Sequence, residues 1–294
     1  MFQGEIAALS AAGLWAFATL MFGRLGKQLS PLVLNLIKGS MAIGFIVLTL
    51  AVRQQLLASL PMGSVLLLLT SGVVGIGLGD TAYFATVNAL GARQALLLEM
   101  LAPPMAALMS WAFLQEQLSM RAWLGMGLTL VGIVWVVSER SPRMNGAKSK
   151  TIITRGIWLG IVAALGQSIG SVLSRAALAD TVVDPLWSSL LRLSAGLVCI
   201  GGLLLWRRKE QVFTRPSRRL LGGVAIAAFF GTYLAIWLQQ IALKHSPAGI
   251  AQSLLATSPI MVLPMALVIG ERVTLRAICG AAVALSGIWL LFSR

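Results

Sequence analysis

Four ionisable side chains interrupt stretches of sequence that are otherwise apolar. They are Lys38, Asp80 in Gly75-Ile76-Gly77-Leu78-Gly79-Asp80, Glu99 between Gln94 and Ala102, and Arg192. A charge near the middle of a membrane helix costs about 2.5–3.5 kcal/mol on insertion scales, so each needs a partner or a task. Two are basic and two acidic, and the set can neutralise itself. Lys38 and Arg192 are candidates for holding a carboxylate or another anionic group. Asp80 and Glu99 are candidates for holding an amine or for carrying a coupling proton, because burial and a nearby cation act on a carboxyl in opposite senses. The plainer alternatives are that the basic groups snorkel to the headgroups, and that the acids only pair with them to fix helix packing. The two readings are compatible, since a pair that breaks in one state is a gate.

Neutral polar and aromatic residues recur at helical spacing around these charges. Tyr83 shares a helical face with Asp80. Gln167, Ser171 and Arg175 fall at i, i+4, i+8, and Tyr233, Trp237 and Gln240 at i, i+4, i+7. Trp15 and Asn35 lie deep in apolar runs. Gln167, Ser171, Tyr233, Trp237, Gln240, Trp15, Asn35 and Tyr83 are therefore substrate-contact candidates, although any one of them could equally be an interhelical hydrogen-bond or packing residue. Trp111, Trp123, Trp135, Trp158, Trp206 and Trp289 lie near the ends of apolar runs and read as interfacial anchors. Glu116 and Glu271 each precede a residue suited to an N-cap, Ser119 or Thr274, and read as structural carboxylates at a positive helix end.

Enzymatic chemistry has little to work with. Gly77-Leu78-Gly79-Asp80 matches the Gly-x-Gly-Asp string of intramembrane aspartyl proteases. That mechanism needs a second intramembrane carboxylate sharing its proton, and the remaining aspartates, Asp180 and Asp184, flank a loop. His245 is the one histidine, so no His-based metal site and no His-Glu-x-x-His motif is available. No Gly-x-x-x-x-Gly-Lys-Ser/Thr loop is present to hold a nucleotide. No enzyme, metal or cofactor is expected.

The elements that must position these residues follow from composition. The 294 residues are 58% hydrophobic and 11% charged, with a mean hydropathy of +0.89. Soluble domains are about 45–50% apolar and about 25% charged, so a soluble enzyme and a disordered chain are both excluded. The net charge of +14 reads as the basic loops of a membrane protein rather than as a nucleic-acid surface. Cys199 and Cys279 sit in apolar stretches and imply no disulfide framework. The start, Met1-Phe2-Gln3-Gly4-Glu5, lacks the basic region of a cleaved signal. Ten stretches are long enough to cross a bilayer, at 4–22, 31–52, 64–88, 93–113, 121–138, 156–175, 185–206, 220–243, 247–268 and 275–292. Strand-type alternation is missing, so a β-barrel is rejected.

The polar stretch Glu139 to Arg155 divides these spans five and five. The two sides align at an offset of about 154–155 residues. Pro31 matches Pro185, Lys38 matches Arg192, Pro104 matches Pro259, and Glu116 matches Glu271. Ser119, Arg121, Gly125 and Gly132 match Thr274, Arg276, Gly280 and Gly287. The expected organisation is a first repeat at 1–138, a basic linker at 139–155 and a second repeat at 156–294. An odd number of spans per repeat makes the topology inverted. The expected class is therefore an all-α polytopic membrane protein with ten transmembrane helices in an inverted 5+5 repeat. Lys and Arg concentrate in the loops after odd-numbered spans, which by the positive-inside rule puts both termini outside.

With these marks the sequence resembles the drug/metabolite transporter superfamily, in its two-repeat EamA type. The marks are the proline of the fourth and ninth spans, followed by Leu114-Gln115-Glu116-Gln117-Leu118 and Ile269-Gly270-Glu271-Arg272-Val273, together with the Gly-rich fifth and tenth spans and the basic residue of the second and seventh. The first copy departs from the usual Gly-Glu-Arg form, with Gln115-Glu116-Gln117. The resemblance implies a secondary transporter, and both termini inside, against the charge count. The expectation is alternating-access movement of a small metabolite, an amino acid or similar zwitterion, with proton-coupled export as one form of it and a multidrug or organic-cation exporter as the alternative. The expected partners are a small-molecule substrate, the lipid bilayer and protons, without nucleic acid. The expected assembly is a monomer or homodimer in a bacterial plasma (inner) membrane.

Overall fold

Leucine-, alanine- and valine-rich runs bounded by proline and polar residues fold as long helices, and glycine and proline decide where those helices widen or bend. The protein is represented by a computed structural model that describes residues 2–25, 31–90, 92–138, 150–206, 217–261 and 274–292. Glu271, most of the basic linker and the end of the expected ninth span lie outside these. All regular structure among the described residues is helical: α1 (Gln3–Leu25), α2 (Pro31–Val52), α3 (Met62–Ser71), α4 (Thr81–Leu90), α5 (Ala92–Glu99), α6 (Ala102–Leu114), α7 (Met120–Val137), α8 (Lys150–Leu178), α9 (Pro185–Trp206), α10 (Arg218–Ala228), α11 (Ala235–His245), α12 (Ala248–Leu255) and α13 (Leu275–Phe292). Seven helical stretches among the described residues are long and apolar enough to cross a membrane, and Met120–Val136 is a shorter apolar helix.

Two of the seven stretches are not uniform α-helix. A π-helical segment, Gly72–Asp80, joins α3 to α4, and another, Phe229–Leu234, joins α10 to α11. They fall at corresponding places in the two halves. Each wide turn inserts a residue into the helical register and rotates the side chains beyond it, as π-segments at functional sites do. The first depends on its glycines. A Cβ on Gly79 would approach Gly166, one on Gly77 would lie 2.7 Å from the Cys199 sulfur, and one on Gly72 would overlap the Arg192 backbone. The Gly-x-Gly-Asp string is thus explained by close packing of this segment against α8 and α9.

Proline bends a second pair. Helix α6 opens on Ala102-Pro103-Pro104, and the chain turns at Met100–Leu101 between α5 and α6. After α12 the chain turns at Ala256–Thr257, immediately before Ser258-Pro259. A proline lacks the N–H that would bond the carbonyl four residues back. Glu99, Met100 and Leu255 are the residues whose carbonyls lose that donor.

Helices α7 and α13 pack directly together through reciprocal glycines. A Cβ on Gly132 would overlap Ala284, and one on Gly287 would overlap Thr129. Their N-caps are Ser119 and Thr274, whose side-chain oxygens accept from Ala122 and Ala277 at 3.2 Å. Glu116 is structural too, but it serves a different helix from the one its sequence position suggests. It accepts from Arg175 Nε at 2.6 Å and from the Ala248 N–H at 3.1 Å, at the start of α12. Arg175 also donates to the Leu243 and Lys244 carbonyls at the end of α11. The local reading failed because these partners are remote in sequence.

Candidate functional site

A cavity of about 270 Å³ opens where the two proline-bent elements meet. Glu99, Met100, Ala102 and Pro103 line it from one bend, and Leu255, Ala256, Ser258 and Pro259 from the other. All three residues with donor-deprived carbonyls therefore line it. Interrupted helices at corresponding positions of two repeats are where transporter sites are built. Lys38, Asp80, Trp15, Tyr83, Phe84, Gln167, Gln239 and Gln252 complete the lining.

The charges are arranged in depth. Asp80, the last residue of the first π-segment, interacts electrostatically with Lys38, Arg192 and Glu99. Lys38, on α2, also lies over the Phe84 ring, 5.8 Å from its centroid. Asn35, one turn before Lys38, is buried beside Asp80, although its Nδ2 makes no hydrogen bond of good geometry. Arg192 is fully buried and does not reach the main cavity. It lines a smaller chamber behind it, of about 140 Å³, with Lys38, Asp80, Ile76, Thr232 and Gly231. Trp15, Gln167 and Gln239 border both spaces. Trp15 is fixed by its indole N–H, which donates to the Gly231 carbonyl of the second π-segment at 2.9 Å.

Of the residues singled out from sequence, Lys38, Asp80, Glu99, Trp15, Tyr83 and Gln167 come together on the cavity, with Asn35 beside Asp80 and Arg192 in the chamber. Ser171 is buried and takes a hydrogen bond from Gln252, which does line the cavity. The Tyr233, Trp237 and Gln240 set, on the second π-segment and α11, does not reach either space. Tyr233 bonds Thr49 at 2.8 Å, Trp237 stacks on Tyr233 and lies under Arg53, and Gln240 accepts from Ser188 at 2.9 Å. The residues presented instead are Thr232, Ile236 and Gln239, one position earlier. Their spacing is identical, and period alone does not say which face turns inward. Gln239 and Gln252 were legible as polar residues within apolar runs but were passed over.

The long apolar helices and the buried, partly ionic cavity between bent elements define a multi-pass membrane protein of transport type. The EamA-like transporter family matches the sequence twice, at residues 2–138 and 154–293. The chain belongs to that family, which is one of transporters and not of enzymes. Among solved structures, 29 chains match. One, described only as the crystal structure of a protein, shares 16% identity with a TM-score of 0.81 over 98% of this chain and 95% of its own. That likeness concerns the fold alone. No curated protein gives a significant match.

Proposed function

We propose that the protein is a ten-span carrier that moves a small zwitterion, an amino acid or a similar metabolite, by alternating access. Residues 1–138 and 156–294 act as inverted five-helix repeats joined by the linker at 139–155. The observation that carries the reading is the cavity between the two proline-bent elements, lined by one cation, Lys38, and two carboxylates, Asp80 and Glu99. Lys38 takes the substrate carboxylate, with Arg192 reinforcing the field from behind. Glu99, near Tyr83 and in the cavity that Trp15 also lines, takes the ammonium. Asp80 links the two charge systems, since it couples to both cations and to Glu99. A proton arriving at either carboxyl would compete with the ammonium, which yields exchange of substrate against protons.

The aromatic lining beside Glu99 favours one second reading, export of organic cations, because ring faces and a carboxylate together suit a desolvated cation. Counterflow in proteoliposomes separates the two. A zwitterion carrier loses exchange with Lys38→Met, whereas a cation exporter retains it and loses exchange with Glu99→Gln. Full proton-driven transport in both Asp80→Asn and Glu99→Gln would place coupling elsewhere.

A further inference from the structure

The chamber behind the cavity has more positive charge and more hydrogen-bond donors than its own residues can satisfy. Arg192 is 1% exposed, and its Nε and Nη1 have no hydrogen-bond partner. Thr232, at 3% exposure on the facing π-segment, leaves its Oγ1 unpartnered as well. Both residues line the chamber. Buried donors of this kind are rarely left empty-handed in folded proteins, and leaving them so costs about 1–3 kcal/mol each, more for a charged group. The charges lining the chamber are Lys38, Arg192 and Asp80, two cations to one anion, of which Lys38 and Asp80 also face the main cavity and Arg192 faces the chamber alone. Glu99 is coupled to Asp80 and lies on the main cavity, not in the chamber. Water could satisfy the donors and would leave that imbalance in place. The Trp15 indole, another donor at the chamber, is already committed to the Gly231 carbonyl.

We infer that the chamber is a binding site for a compact monovalent anion of halide size, held by Arg192 Nε and Nη1 and the Thr232 hydroxyl, and separate from the site of the transported molecule. The volume of about 140 Å³ suits such an ion with a few waters. It is too small for an extended organic acid. The anion would neutralise the excess charge and set the field felt at Asp80. The inference does not depend on which molecule is carried.

The same anionic chemistry could instead be supplied by the carboxylate of the transported molecule, and the test distinguishes the two. The purified full chain is unfolded thermally in sodium gluconate with increasing chloride, bromide or acetate at constant ionic strength. A resident anion raises Tm with the logarithm of chloride or bromide concentration once the site saturates, and acetate has a weaker effect. Arg192→Gln weakens halide affinity by about tenfold or more, as expected for charge-assisted hydrogen bonds. Thr232→Val weakens it less. Asp80→Asn, which raises the chamber charge, tightens it. The wild-type titration stands alone if a variant fails to fold. Stabilisation by acetate but not by halides would assign the chamber to a substrate carboxylate and overturn the inference, while leaving the transport reading intact. No anion dependence would overturn it as well. Halide stabilisation without zwitterion counterflow would support it and defeat the transport reading instead.

Discussion

Residues Met62–Leu90 and Arg218–His245 are one device present twice. Each is a long apolar helix widened by a π-segment at the same place, and each sends that segment to the border of the chamber. The first ends its segment on Asp80, while the corresponding position in the second is apolar, at Leu234–Ala235. The proline bends show the same contrast: Glu99 marks the first, while the matching position in the second, five residues before Pro259, is Leu254. Backbone deformation has been kept in both copies and the acid in one. The shape of the cavity comes from the duplication, and its polarity from divergence. On the proposed reading, an inverted pair needs similar mechanics on both sides, whereas a zwitterion with two different ends needs dissimilar walls.

The largest effect is expected where that divergence is removed. Asp80→Asn leaves Lys38 and Arg192 buried beside each other without their shared carboxylate. Breaking a buried pair in this way costs about 3–5 kcal/mol. In chloride-free buffer the variant should unfold well below wild type, and the double variant Asp80→Asn/Arg192→Gln should recover most of the loss. A double-mutant cycle by thermal or denaturant unfolding measures the coupling. Additive losses would mean that the acid and the guanidinium act independently.

Where the copies match, substitution should hurt equally in both. Gly132→Leu and Gly287→Leu each force a side chain into the facing backbone of α13 or α7. Overpacking of this kind costs about 1–3 kcal/mol and occasionally more. Gly127, on the same helix as Gly132, faces open space, so Gly127→Ala should be neutral or gain about 0.5–1 kcal/mol. Unfolding midpoints in detergent test all three, and a large loss from Gly127→Ala would show that α7 packs differently.

A smaller effect tests the register of α11. Gln239→Leu removes a cavity amide and should raise the KM for transport by about tenfold, the value of one hydrogen bond to a charged group. Trp237→Leu, on the neighbouring face, should lower stability with KM unchanged. Reversed outcomes would put the Tyr233–Trp237–Gln240 face inward during transport.

The repeat, the bends and the intramembrane charges were legible because proline, glycine and isolated ionisable residues carry their physical consequences locally. Ser119 and Thr274 as caps belong to the same group. The face that α11 turns inward was not legible, because two sets of residues share one spacing and the π-segment shifts the phase between α10 and α11. The partners of Glu116 were hidden for another reason. Arg175 and the Ala248 N–H reach it only when the two halves pack, and sequence distance carries no trace of that. Arg192 was legible as a buried cation, but its place on the smaller chamber rather than on the main cavity was not.

The smallest expected effect concerns one of the two positions, Gln115 and Gln117, where the first copy departs from the family pattern. Gln115 ends α6 with φ at 56°, and its N–H bonds the Ser110 carbonyl. This left-handed position after a helix is one that glycine occupies without strain, while an L side chain there costs about 1–2 kcal/mol. The second copy has Gly270 at the matching position. Gln115 recovers part of the cost by donating from its side-chain amide to the Ala112 carbonyl at 3.1 Å, at an exposed site where that bond is weak. Gln115→Gly should therefore stabilise the protein by about 0.5–1 kcal/mol, the residual strain exceeding the entropy glycine returns to the unfolded chain. Gln115→Ala keeps the strain, loses the amide and should be destabilising. Tm measured for both variants decides it. If glycine lowers Tm as alanine does, the side chain of Gln115 matters more than its backbone, and the departure from the pattern is a gain in the first copy rather than a tolerated strain.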